Sequence, residues 1–80
     1  MSNKQPAPAP RLARREIECL TWVLQGKTSW ETGRILGVSE TTVAFYLRNA
    51  RSKLQCRSKH QAALKAIALG LLEWRMPDPG

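Results

Sequence analysis

Three glycines set the limits of what this chain can fold into. Gly26, Gly37 and Gly70 each fall just past a stretch whose apolar residues recur at helical spacing, and glycine most readily takes the left-handed conformation that ends a helix. The first stretch runs from about Ala13 to Gln25, with Leu20, Val23 and Leu24 centring an apolar face, Ile17 and Cys19 at its edges and Trp22 outside it. The second, Ser29 to Leu36, opens on Thr28-Ser29-Trp30-Glu31, the T-x-x-E spacing of a capping box. Ser39 offers a hydroxyl N-cap to a third and longer helix, Glu40 to Leu54. Ser58-Lys59-His60-Gln61 repeats the capping pattern before a fourth helix that runs to Leu69. The pattern predicts an all-α, four-helix domain over residues 12–72.

The ends read differently. Pro6, Pro8 and Pro10 alternate with alanine, which pushes residues 1–11 toward extended backbone and a linker or disordered lead. Residues 73–80, with Pro77 and Pro79, read as a flexible tail.

Eighty residues make one domain with a modest core. That size argues against an enzyme with its own deep cleft, and no Ser-His-Asp set, metal cluster or phosphate loop is present. Cys19 and Cys56 belong to no metal-spacing pattern, and Cys56 with His60 supplies too few ligands to close a zinc site. Both read as reduced thiols, consistent with a cytoplasmic protein, and no cofactor is expected. No apolar run approaches the roughly 20 residues of a membrane span, and no signal-peptide core is present. Thirteen basic against six acidic side chains give a formal charge of +7, and no acid occurs between Thr41 and Leu72. Such a balance favours a polyanionic partner.

Two helices, the first short and the second long, joined by a glycine-bearing turn, match a helix-turn-helix over Ser29 to Arg48. Gly33 is small where the two must cross, and Leu36, Val38, Val43 and Leu47 are apolar where they must bury a core. On the third helix Val43, Leu47, Ala50 and Leu54 share one side. Thr41, Ala44, Phe45, Arg48 and Ser52 share the other, where a helix kept merely soluble carries Glu and Lys. Thr41, Ala44, Phe45 and Arg48 are the candidate base readers: Arg48 suits guanine O6 and N7, while Ala44 and Phe45 suit a thymine methyl or a sugar. Arg51, Ser52, Lys53 and Arg57 are candidate phosphate contacts, and Lys59 also flanks the face. Thr28, Ser29 and Thr42 join them through hydroxyls and backbone N–H groups at two helix N-termini.

The fourth helix is apolar on two sides. Leu64, Ile67, Ala68 and Leu71 fall on one, Ala62, Ala66 and Leu69 on the other. Only one side is needed for the domain's own core, so the other predicts a homodimer contact, with Ala62, Leu64, Ala66 and Leu69 as candidates on either side.

From Leu12 to Leu72 the chain resembles the LuxR-type DNA-binding domain. The resemblance rests on Arg15-Glu16, Glu18-Cys19-Leu20, Gly26-Lys27-Thr28-Ser29-Trp30-Glu31 and Leu36-Gly37-Val38-Ser39. It continues through Thr42-Val43, Leu47, Asn49-Ala50, Lys53-Leu54, Ala62, Ala66 and Gly70-Leu71. The Trp30 segment and Asn49-Ala50 are similar to the acyl-homoserine-lactone-responsive, quorum-sensing branch, in which a ligand domain precedes this one. The resemblance implies a bacterial transcriptional regulator that binds double-stranded DNA. Its third helix would lie in the major groove with Ala44, Phe45 and Arg48 at reading positions, its fourth helix would support a dimer, and RNA polymerase is a candidate partner. Ala13 in place of a hydroxyl cap, Thr32 in place of a buried aliphatic residue, Ala44 in place of a frequent cation and Tyr46 in place of a common His depart from the pattern. Two rival readings are a sigma-factor region-four-like promoter-binding domain and a non-specific basic module for a membrane surface or an acidic protein. The capped fourth helix argues against the first, and the few cations on that helix, Lys59 and Lys65, against the second.

Overall fold

The computed structural model describes residues 10–73; the readings of the chain's first nine residues and of residues 74–80 lie outside them. Among the described residues there are four helices and no strand: α1 (Arg14–Leu24), α2 (Ser29–Leu36), α3 (Glu40–Leu54) and α4 (Lys59–Ala68). The expected limits hold to one residue, Ala13 and Gln25 flanking α1 as caps and Ser58 and Leu69 flanking α4.

Each helix starts and stops for a local reason. Thr28 and Glu31 form the reciprocal capping box of α2: the Glu31 N–H donates to Thr28 Oγ1 at 3.1 Å, and the Thr28 N–H donates to Glu31 Oε1 at 2.9 Å. The Thr28 N–H draws the Glu31 carboxyl below its usual value of 4.5. Ser58 caps α4 by accepting from the Gln61 N–H at 3.1 Å. The Gln61 side chain, however, accepts from Arg57 N at 3.3 Å instead of closing a box on Ser58. Ala13 has no side-chain oxygen to offer α1, and only the return half of the box forms there, from the Ala13 N–H to Glu16 Oε1 at 2.8 Å. At the far ends Gly26, Gly37 and Gly70 take positive φ, and so does Gln55 at 57°, which no local residue signal announced.

Helix α3 is the central rod and packs against α1, α2 and α4, while α1 also packs against α4. Val43, Leu47, Ala50 and Leu54 of α3 meet Cys19, Leu20 and Val23 of α1 and Ala62, Ala63 and Ala66 of α4 in one core, with Leu12 and Leu72 packed at its edges. Cys19 belongs to the centre of this core and not to the edge of the α1 face, being wholly buried. Burial pushes its thiol up to about 11. Thr32 is equally buried, and its hydroxyl is satisfied by donating to Thr28 O at 2.8 Å, so the polar residue leaves no orphan group. Gly33 has a steric cause: a Cβ there would lie 2.6 Å from Val38 O and 3.2 Å from the Ser39 carbonyl carbon. Only glycine lets the turn into α3 fold back so tightly on α2.

Candidate nucleic-acid interface

The face of α3 away from the core is open. Thr41, Ala44, Phe45, Arg48 and Ser52 are all exposed, Phe45 at 55%. The Phe45 ring stands against Tyr46 with centroids 6.1 Å apart and the planes tilted by 56°. Ser39 Oγ accepts from Thr42 N at 3.0 Å and donates to Thr42 Oγ1 at 2.9 Å, which fixes the Thr42 hydroxyl at the N-terminus of α3.

The two flanks of this face differ. On one side lies an open groove of about 230 Å³ lined by Ser29, Ala44, Leu47, Arg51 and Lys59. Ser29 and Lys59 are the first residues of α2 and α4, so two helix N-termini and two cations border one depression. Arg51 is steadied there by donating from Nη1 to Arg57 O at 3.2 Å. Arg57 itself stands exposed in the α3–α4 turn, and Thr28 is exposed at the start of α2 with its oxygen already accepting the capping bond.

On the other flank Lys53, read from the sequence as a phosphate contact, has a partner within the domain. Its ammonium lies 2.8 and 3.0 Å from the two oxygens of Glu16, a carboxylate almost wholly buried at the start of α1. A cation so engaged answers an internal charge before it can answer a phosphate. Lys65 is also drawn inward, donating to Leu54 O at 2.8 Å and so capping the C-terminus of α3. That leaves α4 a poor cationic face for a membrane surface or an acidic protein. No helix among the described residues is long and apolar enough to cross a membrane, and none of their His, Cys, Asp and Glu side chains gather as three or more around a metal position.

Helix α4 sorts the four dimer candidates. Ala62 and Ala66 are wholly buried, with Ala63 beside them, and therefore belong to the monomer's own core; they cannot touch a second copy. Their small size lets α4 approach α1 and α3 closely. Leu64 and Leu69 are exposed at 62% and 41%, with Ala68 also exposed between them.

A short helix, a left-handed turn at Gly37 that packs tightly on Gly33, and a longer helix with an open polar and aromatic face define a helix-turn-helix domain. The family model described as bacterial regulatory proteins, luxR family, matches residues 10–66. This chain belongs to that family. It is 47% identical over 62 residues to the transcriptional activator protein LuxR of Aliivibrio fischeri, covering 78% of this chain and 25% of that protein. It is 43% identical over 72 residues to the HTH-type quorum sensing-dependent transcriptional regulator RpaR of Rhodopseudomonas palustris, covering 90% and 30%. Among solved structures, Escherichia coli SdiA superposes with a TM-score of 0.77 at 39% identity, over 86% of this chain and 29% of that one. The transcription factor GerE does so at 0.74 and 29%, over 78% of this chain and 92% of that one. The chain thus spans well under half the length of the curated relatives it matches.

Proposed function

We propose that this chain is the DNA-binding output domain of a transcriptional regulator, with α3 seated in the major groove of double-stranded DNA. The observation that carries the reading is the exposed face of Thr41, Ala44, Phe45 and Arg48 on a rod whose other side is wholly committed to the core. Arg48 donates to a guanine edge. Ser29 and Arg51, with Lys59, take a backbone phosphate in the groove beside that face. Thr28, Thr42, Ser52 and Arg57 supply further phosphate contacts at the rim, and Lys53 contributes little because Glu16 holds it.

Leu64 and Leu69 pair the domain with a second copy on a two-fold-related operator. A patch this small gives a monomer at micromolar concentration that dimerises on DNA. In the whole protein the signal comes from a preceding domain of the quorum-sensing type, and RNA polymerase is the expected partner at the promoter.

Fluorescence anisotropy with a selected duplex and a random duplex over a salt series tests the reading. The selected duplex is expected to bind at least a thousandfold more tightly at physiological salt, on the order found for specific sites. Equal affinity would leave only a non-specific basic module.

A further inference from the structure

Phe45 is the one large apolar side chain on the reading side of α3, and more than half of its surface meets solvent. It makes no contribution to the core, which Val43, Leu47, Ala50 and Leu54 supply from the opposite side. A charged residue would therefore serve solubility better at this position, and the fold would not suffer. An exposed aromatic on the side of α3 that the proposed function turns to DNA suits a contact outside the domain.

The surroundings narrow the occupant. Thr41, Arg48 and Ser52 stand exposed on the same side, and the groove with Arg51 and Lys59 runs along the flank. The segment from Thr41 to Leu72 carries no acid. An apolar ring framed by hydroxyls and cations fits a polyanion that also presents an apolar group. Duplex DNA presents such a group on a base edge in the major groove only at the C5 methyl of thymine; the other edge positions are donors and acceptors. Ala44 lines the cationic groove, so its methyl leaves room beside the backbone while the longer Phe45 side chain reaches toward the bases. Phe45 and Arg48 lie on one side of the helix about 4.5 Å apart along its axis, a span that places them over neighbouring base pairs.

We propose that Phe45 reads a thymine methyl, next to the guanine taken by Arg48. The inference rests on the DNA reading proposed above and adds which chemical group sets the preference at that step.

The test uses the 80-residue chain and a duplex enriched from a random pool by repeated selection. Each thymine is then replaced singly by deoxyuridine, which removes the methyl and leaves every donor and acceptor in place. One thymine per half-site is expected to lose about fourfold in affinity on losing its methyl, the worth of one buried methyl group. Phe45→Ala is expected to bind the thymine and uracil duplexes equally, while Phe45→Leu keeps most of the difference. Both variants should melt like the parent by circular dichroism, since the ring is outside the core. If a motif is enriched but every uracil duplex binds like its thymine parent, or if the difference survives Phe45→Ala, the methyl reading is wrong and sequence-specific binding stands. A pool that enriches no motif refutes base reading itself, and this inference with it.

Discussion

Replacing Lys53 separates a structural cation from a phosphate contact. Glu16 is 3% exposed and is held by the Ala13 N–H at 2.8 Å and by Lys53 Nζ at 2.8 and 3.0 Å. In Lys53→Met the aliphatic stem is kept and the ammonium is lost, so a buried carboxylate remains with one described donor. At an effective dielectric of about 20 and a separation of about 3 Å, the lost attraction is about 6 kcal/mol before solvent screening. Removing one partner of a fully buried pair costs about 3–5 kcal/mol, whereas an exposed pair is worth about 0–1 kcal/mol. The Lys53 side chain is 40% exposed, so water can reach the carboxylate once the ammonium is gone. The net cost should therefore fall near the middle, at about 2 kcal/mol, a drop in melting temperature of roughly 10 °C for a domain of this size. Glu16→Gln, added to the first change, removes the unpaired charge and should restore at least half of the loss. Urea titration reads the stability, and anisotropy over a salt series reads the phosphate contacts. A Lys53→Met protein of parental stability, with a salt slope reduced by about one unit, would show that the ammonium leaves Glu16 for DNA and would sink the argument.

Four further outcomes are expected. Arg48→Ala should lose about 1–3 kcal/mol on the selected duplex and little on random DNA; an equal loss on both would make Arg48 a phosphate contact only. Ala66→Glu buries a charge in a filled core and should unfold the domain, whereas Leu64→Glu should leave a folded monomer that binds a half-site normally and loses cooperativity on the full site. Normal cooperativity in Leu64→Glu, checked by a gel-shift titration, would exclude α4 as the dimer contact. Gly33→Ala gains helix propensity but drives a methyl to 2.6 Å from Val38 O, and a net loss of about 1–2 kcal/mol is expected in denaturant. Cys19 is raised from 9.0 to about 11, so its folded-state pKa lies above the unfolded value: the stability it contributes is complete below pH 9 and declines as pH rises toward 11. Cys19→Ser should flatten that alkaline decline relative to the parent, and a thiol reagent at pH 8 should label Cys56 and spare Cys19 in the native state.

The sequence was most legible where a residue acts on its own neighbourhood. Gly26 and Gly37, the Thr28-Glu31 box and the Ser39 cap locate helix ends because each signal and its effect lie within one turn. Gln55 takes the same left-handed conformation without any such mark, and α3 could be ended there only because its apolar period stops at Leu54. The outward face of α3 was legible because its two sides differ sharply in chemistry. Those of α4 do not. With alanines and leucines on both sides, hydrophobicity could not say which faced inward, and packing chose the small residues Ala62, Ala63 and Ala66 for the interior, leaving the larger Leu64 in solvent.

Charge was the least legible quantity, because what a cation does depends on a partner that local pattern does not reveal. Lys53 lies next to the reading face in sequence, yet its partner Glu16 is 37 positions earlier, and only the packing of α1 on α3 brings them together. Lys65 is likewise spent on Leu54 O at the end of α3. The formal +7, in which Glu16 already offsets one cation, therefore does not say which cations face a polyanion. With Lys53 answered internally, the cations beside the reading face gather on the flank of Arg51 and Lys59, bordered by the N-termini of α2 and α4. On the DNA reading proposed above, an asymmetric distribution of this kind would orient the domain before any base is read: the duplex strand nearest α2 and α4 would be gripped through its phosphates. The strand on the other side would meet a flank whose Lys53 is already held by Glu16. Phosphate ethylation of the duplex should accordingly interfere with binding on one strand of each half-site far more than on the other, and symmetric interference would show that the two flanks carry equal weight.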